Sequence, residues 1–374
     1  MMKKYKWMYI SLALLFLASI ENLGQQNNQW DIFRGDPGLT GYSRARIPDN
    51  PEILWNFQTD DAVTAAPIIA AGKVFAGNSE GVIFALDLEG NLLWKYEADN
   101  TIEAPALYMD GILYCGDLSG YLYALNAETG SLIWQYETDN QISGSPNHYE
   151  HDGKDYIIVG SYDFYLHSVD ARIGQPVWKY ESDNFVNGAA AVGKDVALFG
   201  GCDGFLHVVD LKSGMARDKV EVATYVAGSV AVTGNLVYTG DYDGQFTCVD
   251  IDKGEIAWQW KNPDNSLPFL GSPSIYKDKV VIGGEDKRLY CFDVSDGRLL
   301  WSFNAGGRID ASPVIVRDKV IAATMDGMLY FVDLDDGTEI WSFEIGSAIA
   351  HNPAVINGYI VLGARDGNIY CLGK

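Results

Sequence analysis

The amino-acid sequence predicts an all-β chain, an eight-bladed β-propeller of four-stranded antiparallel blades whose ring is closed by the N-terminal strand. Three observations predict it. A tryptophan recurs about every forty residues, each repeat reads as four short strands with fixed turn chemistry, and the last repeat lacks the one strand that the N-terminal region has to spare.

The marker tryptophans are Trp55, Trp94, Trp134, Trp178, Trp258, Trp301 and Trp341, at intervals of 39, 40, 44, 80, 43 and 40 residues. The interval of 80 is two repeats, and aligning Pro176-Val177-Trp178 with Ala216-Arg217-Asp218 puts Asp218 where the eighth tryptophan would stand. In the seventh repeat the strands read as 312–316, 319–323, 327–333 and 338–344. A turn pair separates the second and third strands: Asp203-Gly204, Asp243-Gly244, Asp326-Gly327 and Asp366-Gly367, with Glu80-Gly81 and Ser119-Gly120 as variants. Asp-Gly between apolar strands predicts a tight hairpin with both central residues at positive φ. The third strand ends in an Asx residue (Asp87, Asn126, Asp170, Asp210, Asp250, Asp293 or Asp333) followed by a glycine, which suits a side chain that accepts backbone N–H bonds at a turn.

Third strands such as Leu329-Tyr330-Phe331-Val332 are apolar on both faces, so both faces must be covered. Sheets stacked radially meet that demand, with broad indole rings filling the wide outer gap between blades. An open solenoid would need polar caps, and none is visible. The sequence reaches Lys374 just after a third strand, 368–372, while 52–57 is an orphan fourth strand; pairing the two closes the ring and removes two sheet edges.

Lys3, Lys4 and Lys6 precede an apolar run of about a dozen residues, shorter than the roughly 20 a spanning helix needs. That layout predicts a cleaved signal peptide over residues 1–24, although a cut after Ser19 also places a small residue at the site. Residues 25–51 then form an entry segment and 52–374 the propeller. Ile20, not a cysteine, follows Leu17-Ala18-Ser19, so the chain does not read as a lipoprotein. The expectation is a secreted or periplasmic monomer without a transmembrane segment.

The net charge is −23, and −25 without residues 1–24, which carry three lysines and one glutamate. Such a surface excludes nucleic acid as a partner and favours basic partners or cations. Turn positions account for eighteen of the fifty acidic residues, so the acidity is mostly turn chemistry. Of the five cysteines, Cys248, Cys291 and Cys371 occupy the repeat position of Ala85 and Ala124 and read as small core residues.

The stretch from Ala124 to Trp134, Ala-Leu-Asn-Ala-Glu-Thr-Gly-Ser-Leu-Ile-Trp, resembles the tryptophan-docking repeat of the PQQ-like, or quinoprotein-like, propellers. Trp30, Phe33-Arg34-Gly35-Asp36 and Thr40-Gly41-Tyr42 resemble the segment that leads into such propellers. The resemblance covers residues 30–374, and the chain is closest in plan to the BamB branch, the non-enzymatic outer-membrane assembly propellers. It implies a protein-binding scaffold in the bacterial cell envelope. The family's other branch, the quinone-dependent alcohol dehydrogenases, implies two adjacent cysteines and a calcium-bound aspartate on long insertions; here no cysteines are adjacent and the connections are short. No catalytic residue and no cofactor is assigned, with PQQ and calcium left open as alternatives, as is recognition of a small ligand or carbohydrate.

Glu103, Asn187, Arg308, Asp310, His351 and Asn352 put polar groups where the innermost strands otherwise start with small residues, near the expected channel mouth; the alternatives are a small-ligand pocket and a solvated rim. Trp258 to Pro273 spans 15 residues where other passages span 11 or 12. The extra loop, 262–269, offers Asp264 for steering a basic partner and Leu267 and Phe269 as apolar anchors, against simple packing of Phe269 on the next blade. His148 and His151 offer two zinc ligands, and Asp99-Asn100, Asp139-Asn140 and Asp183-Asn184 offer calcium oxygens, but the further ligands of a metal site are not evident.

Overall fold

The computed structural model describes residues 28–222 and 225–374. The expected signal peptide lies outside the described residues. Eight antiparallel sheets form, and their innermost strands touch those of their neighbours around the ring. Blades 1 to 7 span 68–97, 107–137, 147–181, 191–221, 231–261, 274–304 and 314–344; blade 8 combines 354–373 with the strand Glu52–Gln58. That strand runs antiparallel to Asn368–Gly373, with Trp55 opposite Cys371, so the ring closes as the sequence predicts. The one helical turn among the described residues is Phe33–Gly35.

The strand patterns follow from position in the blade. Third strands such as Tyr121–Asn126 are buried on both faces, while fourth strands such as Leu132–Glu137 show alternating exposure at the outer edge. Each marker tryptophan lies opposite a third-strand residue and reaches into the next blade. The indole Nε1 of Trp94 donates to Ala127 O at 3.1 Å and that of Trp301 to Leu334 O at 3.0 Å; Trp55, Trp134, Trp178 and Trp258 do the same. In six of the seven Asx turns the following glycine lies against that ring; the seventh, Gly254, lies against Asp218. A Cβ on Gly337 would meet Trp301 at 2.7 Å, and the same residue holds φ +75°, so two demands converge on it.

One turn differs from expectation. Between second and third strands a single residue takes positive φ, a glycine in six blades, as at Gly81 (+80°) and Gly367 (+82°), and Phe164 and Lys287 in blades 3 and 6; the N–H of Gly81 and Gly367 bonds the carbonyl three residues back. The loop is a normal turn closed by a left-handed residue, which leaves the aspartate free to accept backbone N–H bonds. The paired positive φ values occur instead between first and second strands, at Ala71-Gly72, Asp110-Gly111 and Asp152-Gly153.

The entry segment is much more than a lead. Residues 30–46 circle one end of the channel and bond to every blade in turn. Trp30 bridges Ile69 of blade 1, and Asp31 O accepts from Tyr108 of blade 2. Pro37 O accepts from the Asn147 side chain and the Val192 N–H of blades 3 and 4, then Gly38, Thr40 and Gly41 serve Val232, Ile275 and Ile315. Tyr42–Ser43 adds a parallel fifth strand to blade 7, and Arg46 O accepts from Gly358 of blade 8. Arg34 is fully buried, donating to Pro313 O (2.7 Å), Pro273 O (3.0 Å) and Ser274 Oγ (2.6 Å). Gly41 must be glycine: at φ +64°, a Cβ would stand 2.0 Å from the Arg34 guanidinium.

Candidate functional site

With one end of the channel plugged, the opposite end is a blind cup of about 600 Å³ with Phe33 among its lining residues. Glu103, Asn187, Asp310, His351 and Asn352 line it, as does Arg365. These positions converge because each follows an inter-blade passage on one face. The second-to-third-strand hairpins share that face: Leu118 donates to Thr101 O, Tyr162 to Gln141 O, Tyr242 to Tyr225 O and Arg365 to Ala348 O.

The cup is polar on one side. Arg308, half exposed above it, binds Asp310 at 2.6 Å and Glu285 at 2.8 Å, which occupies both carboxylates. Burial pushes the His351 imidazole down to about 4, and Arg365 adds to the effect, so His351 is neutral at physiological pH. A neutral imidazole beside Asn352 offers one donor and one acceptor to whatever enters.

The long loop 262–269 divides. Asp264 is exposed, its N–H bonded to Asn262 Oδ1, and Leu267 is 39% exposed at the tip. Phe269 is 2% exposed and packs on Phe246, Tyr290 and Trp260 between blades 5 and 6, so its role as a surface anchor is corrected to core packing. Gly240 leaves the room: its missing Cβ would lie 2.4 Å from that of Phe269.

Most histidines and turn acids have structural partners. His167 and His207 are fully buried, each held between a tyrosine hydroxyl (Tyr136, Tyr180) and a hairpin aspartate (Asp163, Asp203) at 2.9 to 3.0 Å. Tyr290 and Tyr370 occupy the same position elsewhere and donate to Asp286 and Asp366 directly, so the imidazole substitutes for a phenol. His148 and His151 lie on the strand Asn147–His151, three residues apart and hence on opposite faces, which removes the zinc pair. Asn100, Asn140 and Asn184 each accept the following backbone N–H. Among the described residues no group of three or more His, Cys, Asp or Glu side chains is placed to hold a metal ion. Cys115, Cys248, Cys291 and Cys371 are buried in the blades, and burial pushes the last three thiols up to about 12. The residues at the cup therefore do not fit a quinone resting on calcium and paired cysteines.

Sequence reasoning missed the aromatic part of this rim. Over blades 3 to 5 the face is aromatic: Tyr162 stacks on Phe185 at 4.8 Å, Phe164 meets Phe185 at 5.3 Å, and Tyr225 meets Tyr242 edge-on at 5.2 Å. Tyr242 is 52% exposed, Phe164 41% and Phe185 36%. The signal was present in the repeat, since Tyr162 and Tyr242 align with Ser79, Leu118 and Glu285, but only the ring puts neighbouring repeats side by side.

Fold and cup together define an eight-bladed propeller of PQQ-like repeats with one end of its channel sealed. The sequence profile of the family described as "Outer membrane protein assembly factor BamB" matches residues 98–225 and 220–374, and the chain belongs to that family. No curated protein sequence matches it. Among solved structures, BamB from Moraxella catarrhalis aligns with a TM-score of 0.72 at 21% identity, over 87% of this chain and 98% of its own. A europium-containing methanol dehydrogenase aligns at 0.77 and 14% identity over 95% and 100%, and the quinohemoprotein alcohol dehydrogenase from Comamonas testosteroni at 0.77 and 14% over 92% and 80%. At these identities the likeness is one of fold, which hosts more than one function.

Proposed function

We propose that this chain is a non-enzymatic, protein-binding scaffold of the bacterial cell envelope, delivered by its signal peptide, and that its open face receives the partner. One observation carries the reading. Six of the eight repeats close the second-to-third-strand hairpin with a left-handed glycine; blade 6 uses the polar Lys287 at φ +72°, and blade 3 uses Phe164, an aromatic residue at φ +77° and 41% exposed. A bulky residue held left-handed costs about 1–2 kcal/mol, and the ring it packs on, that of Phe185, is itself 36% exposed. Phe164 continues into the aromatic patch with Phe185, Tyr162, Tyr225 and Tyr242, and large exposed aromatic surface is what interfaces bury at their centres. Family membership and the BamB fold support the same reading, and outer-membrane protein assembly is the envelope process they suggest.

Phe164→Gly separates binding from folding. The variant is expected to melt at an equal or higher temperature than wild type, because strain is relieved, while recovering at least about fivefold less partner from envelope extract, a loss of roughly 1 kcal/mol or more. Unchanged recovery would remove the open face from the proposal. Purified protein mixed with pyrroloquinoline quinone and calcium is expected to show no dye-linked alcohol oxidation; stoichiometric quinone binding would replace the scaffold with an oxidoreductase.

A further inference from the structure

The face sealed by the entry segment carries a feature opposite in sign to the rest of the molecule. The segment from Tyr42 to Arg46 alternates: Ser43 and Ala45 are buried, while Arg44 and Arg46 stand in solvent beside the half-buried Tyr42. The first-to-second-strand turns of blades 6 and 7 bring Lys277 and Arg317 to the same place, at φ +56° and +59°, where blades 1, 2 and 3 have Ala71, Asp110 and Asp152. Together with Tyr276, Asp318 and Asn357 these side chains line an open cavity of about 900 Å³. The Tyr42 and Tyr276 rings stack at 4.0 Å and 9° across it, and Lys277 Nζ lies 4.8 Å from the Tyr276 centroid.

The charges are not spent. Lys319 binds Asp318 and Asp49, and Lys279 binds Asp278 and Asp335, so the nearby carboxylates have their own lysines. Arg44, Arg46, Lys277 and Arg317 form no ion pair among the described residues. Four uncommitted cations in one cavity, on a chain of net charge −23, repel one another at a cost that an anion would reverse.

We infer that this cavity binds the phosphate group of a small phosphate-bearing ligand. Guanidinium forks match phosphate oxygens in pairs, a lysine adds a point charge, and the Tyr276 hydroxyl, which accepts from Tyr42, keeps its own proton to donate. Phosphate is favoured over carboxylate by charge count, since a phosphomonoester carries roughly −1.5 to −2 at neutral pH against four cations. A bulky acidic macromolecule is disfavoured because the remainder of the surface would repel it within about a Debye length. The phosphate can come from a free metabolite or from a phosphomonoester lipid headgroup, and the stacked tyrosines offer an apolar ledge to either.

The test uses the full mature chain, with pyrophosphate and with vesicles containing phosphatidic acid as two separate probes, titrated calorimetrically or by sedimentation at about 0.1 M ionic strength. Saturable one-to-one pyrophosphate binding is expected, weakened at least about tenfold by Arg44→Gln and by Arg317→Asn; asparagine tolerates the left-handed backbone at that turn. Lys154→Gln, an equal charge change on blade 3, is expected to leave affinity within about twofold, as a surface charge remote from the cavity is screened. Binding of phosphatidic acid vesicles with the same mutational pattern identifies the headgroup as the source, and binding of pyrophosphate alone identifies a free ligand. Melting curves matching wild type establish that the variants fold. No saturable binding of either probe, or equal losses for all three variants, would overturn the inference.

Discussion

Arg34 shows how much can rest on one side chain. It is buried without a carboxylate in contact, and burial pushes its guanidinium down to about 9, with Asp36 opposing the shift, so it remains charged at neutral pH. Its three acceptors belong to blades 6 and 7, which makes it the rivet between plug and ring. Phe269 and Leu267, two residues apart, are expected to diverge on mutation. Phe269→Ala should lose roughly 3–5 kcal/mol in urea unfolding, as for other buried aromatics, whereas Leu267→Ala should stay within about 0.5 kcal/mol. His351 gives a pH signature. Its folded pKa lies below the ordinary histidine value, so the unfolded chain takes up a proton that the fold refuses, and stability falls as pH drops from about 6.5 to about 4. Below that the contribution is constant. His351→Asn should remove this part of the acid sensitivity, at most about 3 kcal/mol across the window, in urea melts compared at the two ends.

The blade junction is the element on which the repeat is built. Six tryptophans donate to the carbonyl just after the next blade's Asx residue, and blade 4 has Asp218 in that position. The receiving parts persist in blade 5: Gly254 is left-handed at φ +68°, its missing Cβ lying 2.3 Å from Asp218 Oδ2, and Ile251 stands where Leu88 and Val294 accept elsewhere. Asp218→Trp is therefore expected to raise stability by about 1–2 kcal/mol, the sum of one hydrogen bond and the buried ring, seen as a higher melting temperature. A decrease would mean that the blade 4–5 gap has narrowed around the smaller side chain.

At the scale of the molecule, the N-terminal region performs two separable tasks. Residues 30–46 seal the channel and 52–58 complete blade 8. Deleting residues 1–48 should open the channel yet leave one cooperative transition at a lower temperature, because each blade still has four strands. Deleting residues 1–60 should abolish cooperativity and promote association, because two sheet edges are then exposed. Calorimetry and light scattering distinguish the outcomes. The two faces also differ in kind: the open one has an aromatic arc over blades 3 to 5 that runs up to the Glu285–Arg308–Asp310 cluster, with Tyr242 near Arg308, and the sealed one concentrates basic charge.

Blade number, strand order, ring closure and the buried roles of the tryptophans and repeat-position cysteines were determined by the sequence, because each is a local pattern repeated eight times and repetition averages out local ambiguity. The gathering of Glu103, Asp310 and His351 at one cup was legible for the same reason: they hold similar positions in different repeats. The turn with only glycine left-handed was not, since an Asp-Gly pair suits more than one hairpin. The plug, the aromatic arc and the basic cavity were decided by the tertiary structure alone. Residues 30–46 have no period, and their partners lie up to about three hundred residues away; Arg44 and Arg317 become neighbours only because a closed ring returns blade 7 to the chain's beginning.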